Sequence, residues 1–257
     1  MTASDVSRFG RICFAAGIAS LITASWAYLV YQEWAMRHMD LVDMAMPSAG
    51  SWSPADALWV FTMWAIMMIA MMLPSATPLL NVYRRLVAVR EQRTDPVALP
   101  ALFAGGYLLI WIAFSAIATA AQWSLHQAAL VSPAMILTSP ALGAALFVAA
   151  GVYQWTPLKQ SCLAGCNMPL DFLQRHWRGG AVGALSMGAL QGVYCIGCCW
   201  LLMALLFVYG VMNLVWIAAI AMYVLAEKLV APGRWLPRAT GLALVAWGLW
   251  LASGSPA

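Results

Sequence analysis

Sulfur-bearing side chains are concentrated in three parts of this sequence. The chain contains 16 methionines and six cysteines. Cysteine thiolates and methionine thioethers are soft ligands, which select Cu(I) and similar ions over hard cations. Metal binding and thiol redox chemistry are therefore the first functions to consider for this chain.

The most specific cluster lies in the segment from Tyr194 to Trp200. Cys195, Cys198 and Cys199 are three and four residues apart, so an α-helix brings all three thiols within one turn. The same row continues to Met203 at the next i,i+4 position. The glycines of this apolar run, at positions 183, 188, 192 and 197, leave room for a neighbouring helix to approach closely. Free cysteines also occur as small buried hydrophobic residues. Three thiols in one turn exceed what packing requires, so the spacing favours metal or redox chemistry.

A second cluster is a run of methionines at helical spacing. Its five members form two adjoining rows on one side of a helix: Met63, Met67 and Met71 in one, Met68 and Met72 in the other. Methionine also fills irregular gaps in apolar cores, so packing is the favoured interpretation of this run when it is taken alone. Pro74 and Pro78 follow, and we expect them to break or kink the helix and free carbonyl groups toward a cavity.

The third cluster is the pair Cys162 and Cys166, which falls between two apolar runs. Their spacing fits either one helical face or two ligands of a loop, and Gly165 favours the loop. Cytosolic thiols are kept reduced, so metal binding or redox cycling is favoured over a structural bridge. For this pair, metal binding and packing remain open alternatives.

Other candidate residues are interpreted as structural. The segment with His38, Met39, Asp40, Asp43 and Met44 has residue types that capture metal ions, but a solvated loop is the preferred interpretation. Cys13 is interpreted as packing. Glu227 and Lys228 are expected near the membrane interface, pointing in different directions, with a structural role.

The composition indicates a membrane protein. Hydrophobic residues make up 64% of the chain and charged residues 9%, whereas soluble domains average about 45–50% and about 25%. This excludes an ordinary soluble domain and a disordered chain. A net charge of +4 is too small for a nucleic-acid-binding surface, so we expect the lipid bilayer and no nucleic acid as a partner.

Seven apolar runs predict an all-α fold: a polytopic membrane helix bundle of about seven transmembrane helices. The whole chain, residues 1–257, is interpreted as a single integral membrane domain. The first run is longer than the apolar core of a signal peptide, which favours a retained anchor. The runs cover residues 12–31, 57–80, 99–121, 141–156, a segment within 181–210, 214–230 and 236–252.

The distribution of basic residues predicts the orientation. With the N-terminus in the cytoplasm, 12 of the 13 Lys and Arg residues fall in cytoplasmic segments, and only Arg37 falls outside. Positively charged loops resist translocation. We therefore expect a multi-pass protein of the bacterial inner membrane with its C-terminus outside.

These motifs resemble a family of bacterial membrane proteins, domain of unknown function 2182. Met67–Ser75 is similar to its hallmark M-M-x-A-M-M-L-P-S, and Gly192–Trp200 to its second hallmark. Gly210–Trp216 and the later Glu227-Lys228 pair fit its third. The resemblance extends from Trp59 to Lys228 and implies metal binding.

The favoured function is binding of a soft metal ion, Cu(I) before Zn(II), for transport or delivery to a membrane metalloenzyme or metallochaperone. Met63, Met67 and Met71 would pass the ion to the α-helical cysteine cluster, with Cys162 and Cys166 as a cytoplasmic port. The common catalytic signatures are absent from the sequence, so an enzyme is less favoured. The alternatives are a membrane thiol-disulfide oxidoreductase, using the pairs among Cys195, Cys198 and Cys199, and a non-catalytic assembly factor.

Overall fold

Helices account for most of the chain. The computed structural model describes residues 3–38, 52–91, 97–132, 135–229 and 235–253. The prediction of an all-α fold is confirmed for these residues, which contain no β-strand. Their ten helices are α1 (Ala3–Arg37), α2 (Pro54–Arg90), α3 (Ala98–Gln127), α4 (Pro140–Tyr153), α5 (Pro157–Asn167), α6 (Pro169–His176), α7 (Gly180–Ala204), α8 (Leu206–Tyr209), α9 (Leu214–Leu229) and α10 (Trp235–Ala252).

Four stretches of helix are long and apolar enough to cross a membrane: Gly10–Arg37, Pro54–Arg90, Ala98–Gln127 and Gly180–Tyr209. The pair α4 and α5 would be a fifth span, bent by 65°. The sixth and seventh predicted runs are also helical, but α9 has only 16 residues and α10 only 18. The count of seven and the orientation stay predictions.

The bend between α4 and α5 has a local cause. Proline restricts the preceding residue to extended backbone, and Thr156, before Pro157, has ψ 144°. The Thr156 hydroxyl then accepts the backbone N–H of Lys159 at 3.3 Å, which caps the new helix. The predicted fourth span, 141–156, therefore ends where α5 begins in a new direction.

Helix α2 does not break at its two prolines, so of the predicted break or kink the break is wrong. The helix is continuous from Pro54 to Arg90. Pro74 has no N–H and leaves the carbonyl of Ala70 without its helical donor. The Trp26 indole of α1 donates to that oxygen at 3.0 Å. The predicted free carbonyl group is thus confirmed, but it accepts a hydrogen bond from a neighbouring helix instead of facing a cavity.

The helices pack around α3 and α7. Helix α7 packs most extensively on α3 and also on α5, while α2 packs on α1, α3 and α9. Helix α10 packs on α4. Helices α2 and α7 have little direct backbone contact. Residues from α3 and α9 therefore link the methionine helix to the cysteine helix.

Small residues let α3 and α7 approach closely, as predicted from the glycines of α7. A Cβ atom at Gly188 would lie 1.9 Å from the carbonyl oxygen of Phe103. A Cβ atom at Gly192 would lie 3.1 Å from the carbonyl oxygen of Tyr107. This close approach brings the Tyr107 side chain to the cysteine cluster.

Gly106 offers a test of this packing. A Cβ atom there would lie 2.1 Å from the carbonyl oxygen of Leu185, so Gly106→Ala must force α3 and α7 apart. We expect the substitution to cost about 1–3 kcal/mol, measured as a lower unfolding temperature in detergent. Gly105→Ala is the matched control, because no atom lies within 4 Å of its added methyl group. Equal unfolding temperatures for the two variants would contradict the packing argument.

Candidate metal centre

Three thiols of α7 converge in the protein interior. The Sγ atoms of Cys195, Cys198 and Cys199 all lie within 4.8 Å of one another, and all three residues are buried. Helical geometry produces this grouping, since residues three and four apart share one face. Cys198 and Cys199 donate to the carbonyl oxygen of Cys195 at 3.1 and 3.0 Å. The predicted convergence of the three side chains is confirmed.

A fourth thiol comes from α5. The Cys166 side chain is buried and lies close enough to the side chains of Cys195 and Cys198 to interact with them. The Gln191 side chain of α7 donates its Nε2–H to Cys166 Sγ at 3.5 Å. Residues 29 and 32 positions apart in sequence thus approach each other because α5 packs along α7.

The prediction that Cys162 and Cys166 lie in a loop is wrong. Both are on α5, which runs from Pro157 to Asn167. Gly165 serves a different purpose from a turn: a Cβ atom there would lie 3.0 Å from the Tyr194 ring, so glycine permits close helix packing. Cys162 lies against Gly197, where a Cβ atom would be 2.5 Å from its Sγ atom. Cys162 is half-buried at the helix interface and is not one of the three mutually close thiols of α7.

Lys228 turns its side chain toward the cysteine cluster, and its predicted place near the membrane interface stays a prediction. Its ammonium group donates to Cys195 Sγ at 2.9 Å and to Ser75 Oγ at 2.8 Å. Metal-bound cysteine is a thiolate, and a cation at this distance compensates its negative charge. A lysine in an apolar helix needs such a partner. That requirement is a sequence signal that could have identified Lys228 as a site residue.

Tyr107 is a further site residue that the spacing of the sequence did not indicate. Its hydroxyl group lies 3.1 Å from Cys195 Sγ and 3.2 Å from the carbonyl oxygen of Met72. Ser75 also donates to the Met72 carbonyl, at 2.8 Å. Through Tyr107 and Lys228, the Met-Met-Leu-Pro-Ser segment of α2 is tied to Cys195.

The predicted methionine ligands are all buried in the same core as the cysteines. They are Met63, Met67, Met68, Met71 and Met72 of α2 and Met203 of α7. Two contacts align α2 with α7 and α8: Tyr107 bridges Met72 to Cys195, and the Trp64 ring lies 5.3 Å from the Phe207 ring. Along α2, Trp64 comes before Met72, whereas Phe207, the partner of Trp64, comes after Cys195. The methionine rows and the cysteine row therefore run antiparallel. Their role as metal ligands stays a prediction.

Glu227 points away from Lys228, as predicted for adjacent helical residues. Its carboxylate forms an ion pair with Lys159 of α5 at 2.9 Å, and both side chains are fully buried. Tyr223 donates to the same carboxylate. The backbone carbonyl of Glu227 accepts from Asn167 Nδ2 at 3.0 Å. This network attaches α5, and therefore Cys166, to α9.

Two weaker candidates can be placed in part. Cys13 is exposed on α1, so it is not packed in the interior of the protein as predicted. His38 lies beside the Trp34 carbonyl, with 2.8 Å between Nδ1 and the oxygen. Met39, Asp40, Asp43 and Met44 lie outside the described residues.

A match to a known family covers most of these helices. Residues 61–251 match the copper chaperone family PpoB2, a range that contains every cysteine and methionine of the site. The chain belongs to this family. The PpoB2 match does not confirm the resemblance to domain of unknown function 2182, which stays a prediction. Neither the curated proteins nor the solved structures contain a significant match to the chain.

The donor set fits the cargo that the PpoB2 family implies. Within the described residues, the close group of potential ligands in the interior consists of cysteines alone, with no histidine or carboxylate among them. Zinc sites of this size commonly include histidine or carboxylate ligands, whereas soft thiolates suit Cu(I). The family and the thiol cluster together indicate metal binding.

Proposed function

We propose that this protein binds Cu(I) in the membrane and delivers it to a copper-using partner. The thiolates of Cys195, Cys198 and Cys199 are the principal ligands. The observation that carries the proposal is the group of three buried thiols within 4.8 Å in a chain of the copper chaperone family PpoB2. The partner is a membrane copper enzyme or a metallochaperone.

The surroundings of Cys195 support this role. Several thiolates around one monovalent ion carry net negative charge, which is unfavourable in an apolar interior. The ammonium group of Lys228, 2.9 Å from Cys195 Sγ, offsets part of that charge. The Tyr107 hydroxyl adds a second polar contact at 3.1 Å. Groups of this kind orient and tune metal ligands in proteins.

The methionine rows provide a second set of soft ligands along the same core. Met63 and Met71 are eight residues apart, which corresponds to about 12 Å along a helix. The row runs in the opposite direction to the line of Cys195, Cys199 and Met203, and both sets are buried in the same core. We infer that these thioethers hold Cu(I) on its way to or from the thiolates, as a delivery or transport path.

The proposed cellular setting is the bacterial inner membrane. We propose a single integral membrane domain over residues 1–257 with about seven spans, in which α9 and α10 form the last two. The N-terminus is cytoplasmic and the C-terminus outside, because 12 of the 13 basic residues then lie in the cytoplasm. In this orientation α5 and α6 are at the cytoplasmic side.

Copper content tests the proposal directly. The full chain, purified in detergent and exposed to Cu(I) under reducing conditions, is expected to retain copper after buffer exchange. The triple variant with Cys195, Cys198 and Cys199 changed to serine is expected to retain only background copper. Elemental analysis provides the measurement, and equal copper in both proteins would contradict the assignment.

Thiol trapping separates metal delivery from disulfide exchange. A copper-binding cluster is expected to keep its thiols free in cells, so alkylation before and after reduction should give the same labelling. A disulfide oxidoreductase would show a disulfide that forms and breaks with the redox state. Reversible disulfide formation without copper binding would overturn the proposal in favour of the enzyme.

Replacing Lys228 tests whether its charge supports the thiolates. Lys228→Met removes the ammonium group 2.9 Å from Cys195 Sγ, and we expect Cu(I) affinity to fall about 10–100-fold. Competition with a chromophoric Cu(I) chelator measures the change. Lys228→Arg keeps the positive charge and should lose less affinity than Lys228→Met. Unchanged affinity in Lys228→Met would contradict charge compensation.

A further inference from the structure

A small cavity lies beside the cysteine cluster. Its volume is about 170 Å³, and residues of α2, α3, α5, α7 and α9 line it together with the junction between α5 and α6. The polar and sulfur-bearing groups on its wall are Ser75, Tyr107, Cys166, Asn167, Gln191 and Lys228. Of the five cysteines on α5 and α7, only Cys166 lines this cavity.

The cavity wall contains buried oxygen atoms without partners. Oδ1 of Asn167 and Oε1 of Gln191 accept no hydrogen bond, and Gln191 is only 4% exposed. Buried polar atoms in native proteins are normally satisfied by protein or solvent. At about 30 Å³ per water molecule, the volume admits about five waters or a small polar ligand. Both the volume and the unsatisfied oxygens indicate a cavity that receives polar molecules.

The cavity opens near the end of α9. Leu229 lines it and is 57% exposed, so this side chain lies at the mouth. Asn167 and Pro169 place the junction of α5 and α6 on the same wall. Cys166 is therefore positioned between the opening and the deeper thiols, since its side chain also lies close enough to Cys195 and Cys198 to interact with them.

We propose that this cavity is the exchange site of the metal centre and that Cys166 is the ligand that receives copper there. The inference rests on the proposed function. It narrows the predicted cytoplasmic port from the pair Cys162 and Cys166 to Cys166 alone. The donor is a Cu(I) complex of a thiol, either a small molecule or a cysteine of a carrier protein.

The exchange is a ligand substitution without electron transfer. Cys166 Sγ forms a bond to Cu(I) while the bond from copper to the donor sulfur breaks. The proton of the Cys166 thiol passes to the departing donor thiolate, and copper remains Cu(I). Transfer to Cys195 or Cys198 follows by the same substitution, because their side chains lie close enough to Cys166 to interact with it. The amide oxygens of Asn167 and Gln191 accept hydrogen bonds from the donor molecule or from water in the cavity.

Narrowing the mouth of the cavity tests this route of copper uptake without replacing a copper ligand. Leu229→Trp adds a large side chain at the opening, and Val215→Trp is the control at the other end of α9, where the side chain is 72% exposed. The full chain in detergent is mixed with the Cu(I)–glutathione complex, and uptake is followed by stopped-flow ultraviolet absorption. We expect Leu229→Trp to slow uptake about tenfold or more, with Cu(I) affinity unchanged. Val215→Trp should match the unsubstituted chain.

Serine variants of the two α5 cysteines identify the receiving ligand. Cys166→Ser should slow uptake at least about tenfold, while Cys162→Ser should leave the rate unchanged. Normal uptake in both Leu229→Trp and Cys166→Ser, with copper still bound at equilibrium, would overturn the exchange site and leave the proposed function standing. If the unsubstituted chain bound no Cu(I), the proposed function itself would fail.

Discussion

Cys195→Ser is expected to weaken Cu(I) binding about a hundredfold. A structural metal site of four ligands binds with about 10–16 kcal/mol, so one ligand contributes about 3 kcal/mol, which corresponds to about a hundredfold in Kd. Cys195 is the thiol at the centre of the cluster. It lies within 4.8 Å of Cys198 and Cys199 and accepts from Lys228. Its loss removes a ligand and leaves the lysine without its sulfur partner.

Chelator competition on the full chain provides the measurement, and Cys13→Ser provides the control. Cys13 is exposed on α1, outside the cluster, so its replacement should leave the affinity unchanged. Cys199→Ser should also weaken Cu(I) binding, as Cys195→Ser does. If Cys195→Ser and Cys13→Ser bound Cu(I) with equal affinity, the α7 thiols would be excluded as ligands of the proposed site.

Lys159→Met is expected to cause the largest loss of stability. Lys159 and Glu227 are fully buried and form an ion pair at 2.9 Å. Removing one partner leaves an uncompensated buried charge, which costs about 3–5 kcal/mol. For a protein of this size, the loss corresponds to a decrease of roughly 10 °C in Tm. Thermal unfolding in detergent, followed by tryptophan fluorescence, measures the change.

Two further variants separate charge burial from a general effect of losing a lysine or arginine. Lys159→Met combined with Glu227→Gln removes both charges and keeps an oxygen for the Tyr223 hydroxyl, so it should recover most of the lost stability. Arg175→Met breaks the exposed pair with Asp171 and should change stability by less than about 1 kcal/mol. A Tm in Lys159→Met as high as in Arg175→Met would contradict the argument.

The sequence predicted those parts of the site that helical geometry fixes locally. Cys195, Cys198 and Cys199 converge because residues three and four apart meet on any α-helix. The same regularity placed the five α2 methionines in adjoining buried rows. Glycines on α7 predicted close approach of a neighbouring helix, and α3 supplies it. None of these predictions required knowledge of which helices are neighbours.

The errors arose where a local signal had a tertiary cause. Gly165 favours a loop by its conformational freedom, but it serves to admit the ring of Tyr194. Pro74 weakens a helix by removing a donor, yet α2 continues because Trp26 satisfies the freed carbonyl. In each case the deciding partner comes from a different helix.

By itself, the sequence determined an all-helical protein with helices apolar enough for a membrane and with its thiols grouped on one helical turn. Hydrophobic content and helical period fix these features residue by residue. Only the tertiary structure decided that Cys166, Tyr107 and Lys228 meet that turn from three other helices. Which helices become neighbours depends on the sum of many close contacts along their surfaces, and no single spacing in the sequence specifies that sum.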